Sequence, residues 1–138
     1  MASKKRHRTT SHILRIAEDF CAEDWKRFVE LPYFRKKWLS LDLNDDDLRA
    51  LQICLTASPA SFPVVAGTGG LRKARFSKVD SNRGKSGYYR IGFVYFEEFG
   101  VIGLIAVYAK NDQSTIPVTQ KTQIKDAIEK LRKRVAEH

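Results

Sequence analysis

The sequence predicts an α+β fold: an antiparallel sheet of about four strands, with helices packed on one face and a further helix at the C-terminus. Residues 71–110 contain three runs with apolar residues at strand spacing, separated by turns that contain glycine, which is typical of an antiparallel meander. The segments before and after the meander carry apolar residues three and four apart, which is helical spacing. At 138 residues the chain is long enough for one core, and we expect a single domain.

The chain is predicted to begin with a basic extension, residues 1–25, ahead of a folded domain at residues 26–138. Met1 to His12 holds four lysines and arginines and no acid. This pattern fits either a flexible tail or an arm that adds phosphate contacts. Ile13 to Trp25 has the apolar spacing of a short amphipathic helix. Because no apolar segment or cleavage site follows the basic start, no signal peptide is predicted.

The first strand is predicted at Lys26 to Leu31, where apolar and polar residues alternate, followed by one or two helical turns at Tyr33 to Leu39. The next helix has clearer signals. Asn44 is a favourable N-cap, and three aspartates follow in the first turn, where the helix dipole favours negative charge. Leu48, Leu51 and Leu55 form its apolar stripe, and the pair Ser58-Pro59 ends it.

The meander is predicted to consist of three strands. The first, Leu71 to Val79, carries basic residues on one face and apolar residues on the other, and a polar hairpin loop at Ser81 to Gly87 follows it. The second is Tyr88 to Glu97. The third, Val101 to Lys110, is apolar on both faces and is therefore expected to be central and covered. A final helix at Ile116 to Val135 repeats its apolar residues every three or four positions.

The segment from Gly67 to Arg90 holds most of the chain's excess charge. It contains seven basic residues and one acid, a net +6 of the formal +9 of the whole chain. The sequence pI is about 9.7. Basic residues interleaved with glycine and aromatic residues at strand spacing indicate a surface that binds a polyanion, with nucleic acid as the first choice.

Several kinds of site are excluded by the residues present. The three histidines lie near the chain ends, and neither Cys21 nor Cys54 has a second ligand at metal-binding spacing, so no metal or other cofactor is predicted and a reduced cytoplasmic setting fits. The glycine-rich turn at residues 67–70 precedes a strand instead of a helix, which argues against a nucleotide-binding loop. No apolar run approaches the ~18 residues of a membrane span.

Lysine, arginine and tyrosine remain, and these residue types are sufficient to cleave RNA without a metal. The RNA supplies its own nucleophile, the 2′-hydroxyl. The protein must hold that group in line, remove its proton, neutralise the phosphate charge and protonate the leaving oxygen. Arginine suits the phosphate because its planar fork binds two oxygens. A lysine crowded by other cations is shifted toward its neutral form and can act as a base.

Three ordered blocks, GTGGLRKARF, GKSGYYRIGFVYF and IGLIAVYAKND, together resemble the RelE/HigB-type toxins of bacterial type II toxin–antitoxin systems, in the RelE/ParE superfamily. The preceding NDDDLRALQICLTASP is also similar, and the likeness covers Phe28 to Leu131. The resemblance implies a small RelE-like fold and a ribosome-dependent mRNA interferase. Such an endoribonuclease enters the ribosomal A site, cuts translated mRNA by 2′-hydroxyl attack and so inhibits translation. A cognate acidic antitoxin would neutralise it and would provide its only contact with operator DNA.

The resemblance also assigns residues. Lys73 and Arg75 match the paired basic residues of the second strand and are candidates for base and phosphate stabilisation. Arg90 matches the arginine that contacts the scissile phosphate, and Lys110 matches the basic end of the last strand. Tyr108 is our candidate for protonating the leaving oxygen, because Asn111 and residues 114–117 replace the arginine and tyrosine that other members carry there. Further RNA contacts are expected from Arg72, Lys78, Arg83 and Lys85.

Other interpretations stay open from the sequence. Arg72 could pair with an acid of the acidic helix, Lys85 could be solvated in its loop, and Tyr108 could belong to the core. At the level of function, the alternatives are a catalytically silent module that binds RNA or the ribosome, or acts as co-repressor, and a basic nucleic-acid-binding protein unrelated to translation.

Overall fold

The computed structural model describes residues 26–78, 88–109 and 118–137, and within these ranges the chain forms four strands and three α-helices. In chain order they are β1 (Arg27–Glu30), α1 (Pro32–Ser40), α2 (Asp45–Ala57), β2 (Arg72–Ser77), β3 (Tyr88–Phe96), β4 (Val101–Ala109) and α3 (Val118–Ala136). The predicted α+β class, the four strands and the C-terminal helix are confirmed. The predicted N-terminal helix and the hairpin loop at Ser81–Gly87 lie outside the described residues.

Helix α2 is the element that the sequence specified most completely. The Asn44 side chain accepts a hydrogen bond from the backbone N–H of Asp47 at 2.9 Å, and the Asp47 carboxylate accepts one from the backbone N–H of Asn44 at 2.9 Å. This reciprocal pair is a capping box, which satisfies two backbone donors that the helix itself leaves unpaired. The helix ends at Ala57, before Ser58-Pro59, as predicted.

The strands form one sheet in the order β1-β4-β3-β2. Strands β2, β3 and β4 are antiparallel neighbours, as predicted for the meander. Strand β1 pairs in parallel with β4, with Arg27 opposite Val101 and Glu30 opposite Leu104. The sheet is therefore mixed, and the expectation of a wholly antiparallel sheet was wrong at this edge. The pairing joins residues that are far apart in sequence, so local patterns carry no signal for it.

The helices pack on both faces of the sheet. Helices α1 and α2 cover one face with a core that includes Phe34, Trp38 and Leu51. Helix α3 covers part of the opposite face through Ile128, Leu131 and further apolar residues. The sequence did not specify which face the C-terminal helix covers. The apolar residues of β3 and β4 on the second face need cover, and α3 supplies it over part of that face.

Gly103 sets how closely α3 approaches the sheet. A Cβ atom at this position would lie 2.7 Å from Cδ2 of Leu131 and 3.0 Å from Cγ1 of Val94, closer than packed carbon atoms approach. The absent side chain lets Leu131 sit directly on β4. Among the described residues, no helix has the length and apolar character needed to span a membrane.

Candidate functional site

Three polar side chains line up across β2, β3 and β4. Arg75 lies directly opposite Arg90, and Arg90 lies directly opposite Tyr108. Residues in this relation have Cβ atoms about 4.5–5.5 Å apart, which brings neighbouring side chains within reach of each other. Lys73 lies two residues before Arg75 and thus on the same face of β2. The sheet therefore brings together four of the predicted site residues.

A β-bulge decides which face Tyr108 occupies. The register between β3 and β4 shifts between Gly92 and Phe93, so that Ile105 is an extra residue in β4. Leu104 belongs to the core under α1 and α2, and strict alternation from it would turn Tyr108 toward that core. The extra residue reverses the alternation and places Tyr108 beside the arginine of β3.

A cavity of about 220 Å³ lies over this row of side chains. It is lined by four polar residues, Lys73, Arg75, Arg90 and Tyr108, and by six others: Pro63, Leu71, Ala74, Ile91, Gly92 and Ala106. Within the described ranges, the ionisable groups of the lining are cations and a phenol, with no carboxylate. Such a lining favours an anion.

Arg90 shows the clearest sign of an absent partner. Its Nε atom is buried and has no hydrogen-bond partner among the described residues, whereas buried polar atoms are nearly always paired. Lys73 and Arg75 are exposed, and no carboxylate in the described part of the chain forms a salt bridge with any of the three. Three cations on one concave face, with no carboxylate partner among the described residues, make a site that favours an anionic ligand such as phosphate.

Tyr108 is half-buried next to Arg90. Burial raises the pKa of the phenol above its ordinary value, and the nearby Arg90 charge opposes that shift in part. The phenol therefore keeps its proton at neutral pH and lines the cavity as a group that is able to donate a hydrogen bond. Tyr108 lines the cavity, and this position does not support the alternative that it is a core residue.

Tyr88 belongs to the same cluster, although it was not among the residues predicted for the site. Its ring centre lies 4.8 Å from Cζ of Arg75 and 5.9 Å from Cζ of Arg90, distances at which a cation is attracted to an aromatic face. The signal was present in the sequence, because Tyr88 precedes Arg90 by two residues and so shares its face of the strand.

Arg72 and Lys78, the two other described cations of the segment from Gly67 to Arg90, do not line the cavity. Arg72 donates hydrogen bonds to the backbone carbonyls of Phe62 at 2.6 Å and Ala60 at 3.2 Å. Lys78 forms an ion pair with Asp47 at 3.0 Å, and this hydrogen bond raises the pKa of its ammonium group. Both cations therefore stabilise the fold, and Arg72 binds carbonyls instead of the acid considered as its alternative partner. Lys110, Arg83 and Lys85 lie outside the described residues.

The glycine-rich turn packs against α3. Gly69 has φ +77°, and a Cβ atom there would lie 3.1 Å from Cγ of Lys125. Thr68 is buried, and its hydroxyl accepts a hydrogen bond from the backbone N–H of Leu71 at 3.0 Å. The motif thus makes a tight turn that leads into β2 and lets α3 approach. It also brings Lys125, which was not among the predicted site residues, near the start of β2.

The residue types of the cluster are suited to binding an anion. Within the described ranges, no group of three or more His, Cys, Asp and Glu side chains is placed to hold a metal ion. The charged groups available at the cavity are guanidinium and ammonium, accompanied by a protonated phenol. No family model matches the chain.

Proposed function

We propose that this protein is an endoribonuclease toxin of the RelE/HigB type, an mRNA interferase that cleaves translated mRNA at the ribosome. The observation that carries the proposal is the row Arg75–Arg90–Tyr108, with Lys73 beside it, around one cavity on an incompletely covered sheet face. The resemblance of three ordered sequence blocks to that group of toxins supports the same function. The row contains the residue types that metal-independent RNA cleavage requires.

In the proposed reaction the RNA 2′-oxygen attacks the adjacent phosphorus, and the bond from phosphorus to the 5′-oxygen breaks. The products are a 2′,3′-cyclic phosphate and a 5′-hydroxyl. Arg75 and Arg90 bind the non-bridging oxygens, where negative charge grows in the transition state. The Nε atom of Arg90 is buried and has no hydrogen-bond partner in the part of the chain that the structure describes. This supports the assignment, because an arriving phosphate oxygen would give it an acceptor.

The two proton transfers go to the remaining residues of the cluster. Lys73 is assigned the removal of the 2′-hydroxyl proton, the role that the resemblance implies. Tyr108 is assigned the protonation of the leaving oxygen. Its raised pKa keeps the phenol protonated, and an alcohol is a much weaker acid than a phenol, so transfer to the departing oxygen is favourable. Lys110 is a further candidate on the basis of the resemblance alone.

The proposal includes the partners and the compartment. The substrate is mRNA held in the A site of the ribosome, so the toxin acts in the cytoplasm. An acidic antitoxin would neutralise the basic face by charge complementarity, and contact with operator DNA would be made through that antitoxin. The chemistry itself needs no cofactor.

The test is primer extension on a reporter mRNA in a cell-free translation system, with and without ribosomes. Wild type should produce codon-spaced cuts that need ribosomes, persist when the purified protein has been treated with EDTA and leave 5′-hydroxyl ends. Arg90→Ala should abolish the cuts. A matched control is Arg132→Ala, which likewise removes one positive charge. Arg132 lies on α3 and forms a salt bridge with Glu98 at 2.7 Å, and its replacement should leave cleavage intact.

A second candidate is a catalytically silent module of the same fold that binds RNA or the ribosome, or acts as co-repressor. One observation favours it. Apart from the cations, the described proton donor at the cavity is the phenol of Tyr108. Its raised pKa makes it a weak acid for protonating the leaving oxygen. Folded wild type that yields no cuts but binds RNA in a salt-sensitive manner would establish this candidate and reject cleavage.

A further inference from the structure

Tyr88 occupies the point where two like charges meet. Arg75 and Arg90 lie directly opposite each other on neighbouring strands, an arrangement that repels when both residues carry the same charge. Tyr88 is the first residue of β3 and lies diagonally across from Arg75 on the same face. Its ring centre lies 4.8 Å from one guanidinium carbon and 5.9 Å from the other.

The electrostatics of an aromatic ring explain what this position does. The face of the ring carries partial negative charge and attracts a guanidinium group. Within the described part of the chain, Arg75 and Arg90 form no salt bridge with a carboxylate. Among the described residues, the ring of Tyr88 lies where its face offsets part of their repulsion without using up their N–H donors. A carboxylate in its place would neutralise the site and compete with a bound phosphate.

We propose that Tyr88 is a positioning residue whose ring face holds Arg75 and Arg90 together, so that both guanidinium groups bind one phosphodiester. The inference rests on the proposed function for its substrate, a phosphodiester of RNA. The ring acts through its face, and the phenol hydroxyl is not required. The role differs from stacking on a base, because the ring face is directed at the arginines.

The experiment measures phosphate binding directly, so its outcome does not depend on cleavage. The probes are inorganic phosphate and a short 2′-O-methyl oligonucleotide, which lacks the nucleophile and cannot be cut. Binding is followed by NMR at the Nε–H signals of the arginine side chains and by the dissociation constant for the oligonucleotide. The variants are Tyr88→Phe, Tyr88→Leu, and a ring-fluorinated phenylalanine at position 88, which keeps the shape of the ring and withdraws charge from its face.

Tyr88→Phe should bind both probes within about twofold of wild type. Tyr88→Leu should bind about tenfold more weakly, as expected for the loss of two partly exposed cation–π contacts. The fluorinated ring should fall between the two, and this variant keeps the test valid if Tyr88→Leu does not fold. Tyr33→Leu is the matched control, because Tyr33 is 62% exposed on α1 and should not affect binding.

Two results would overturn the proposal. Equal weakening by Tyr88→Phe and Tyr88→Leu would assign the effect to the hydroxyl. Unchanged binding by the fluorinated variant and by folded Tyr88→Leu would show that the arginines hold their positions without the ring. If cleavage is confirmed, Tyr88→Leu and the fluorinated variant should lower kcat more than they raise KM, because the arginines act most strongly on the transition state, and Tyr88→Phe should stay close to wild type. If cleavage fails, the binding series still decides the role of Tyr88.

Discussion

The basic residues of β2 and its flanks lie in two regions that differ in what their charges contact. Arg72 and Lys78, at the two ends of this segment, bind groups of the protein itself: carbonyl oxygens of the preceding loop and the carboxylate of Asp47. Lys73 and Arg75, between them, face a cavity where the described residues offer no carboxylate. Neighbouring cations with the same chemistry therefore have different roles.

The difference shows that strand geometry, and not charge content, decides which cations are available to a ligand. Alternate residues of β2 point to opposite faces. One face meets α1, α2 and the loop before the strand, where acceptors exist. The other face is covered by α3 only in part, and Lys73 and Arg75 are exposed on it. Substitutions in the two groups should therefore have different effects. Those at Lys73 and Arg75 should lower activity, and those at Arg72 and Lys78 should lower stability.

The largest effect is expected for Arg90→Met. It should lower the cleavage rate by about 10³-fold, or about 4 kcal/mol, because it removes a donor aimed at developing charge. It should leave the free energy of unfolding unchanged or raise it, since it removes a buried polar atom that has no hydrogen-bond partner among residues 26–78, 88–109 and 118–137. The measurements are cleavage kinetics and urea unfolding. A variant that keeps cleavage within tenfold of wild type would remove Arg90 from the site.

The opposite pattern is expected for Asp47→Ala. Asp47 is 2% exposed, completes the capping box of α2 and pairs with Lys78. Its loss should cost about 2 kcal/mol of unfolding free energy, from the cap and the partly exposed ion pair together, with RNA binding unchanged. Asp46→Ala, an exposed acid of the same helical turn, is the control and should cost less than about 0.5 kcal/mol. Equal costs for both variants would contradict the assignment.

A smaller and directly paired test uses Arg72→Ala and Lys73→Ala. Arg72→Ala should cost about 1 kcal/mol of unfolding free energy, because two carbonyls lose a charged donor. It should not change the salt dependence of RNA binding. Lys73→Ala should leave stability unchanged and lower the slope of log K against log salt by about one. If both variants change the slope, the two regions are not distinct.

The smallest effect concerns the titration of Tyr108. Its pKa lies above the ordinary value of 10.0, because burial disfavours the phenolate, and the Arg90 charge acts against this shift. Arg90→Met should therefore raise the pKa of Tyr108 further. The stability that this raised pKa contributes is complete below the pKa of the unfolded state and is lost as pH rises through that of the folded state. ¹³C NMR of the tyrosine rings measures the titration, and a lower pKa in the variant would contradict the arrangement.

Much of the secondary structure could be predicted because its causes are local. The cap at Asn44 and the break at Ser58-Pro59 bound α2 within a few residues of chain, and both signals are visible in the sequence. The alternation of basic and apolar residues in β2 likewise predicts that Lys73 and Arg75 share one face of the strand. The partners of Arg72 and Lys78, two expected RNA contacts, could not be predicted, because Ala60, Phe62 and Asp47 are brought to them only by the fold.

The sequence by itself determined the α+β class, the helices, the three strands of the meander and the basic character of one strand face, since periodicity and capping act over short distances. Only the tertiary structure decided three further points: the parallel pairing of β1 with β4, the packing of α3 on the same face as the arginines, and the face on which Tyr108 lies. Each depends on contacts between distant segments, and the last depends on one extra residue, Ile105, that reverses the alternation of β4.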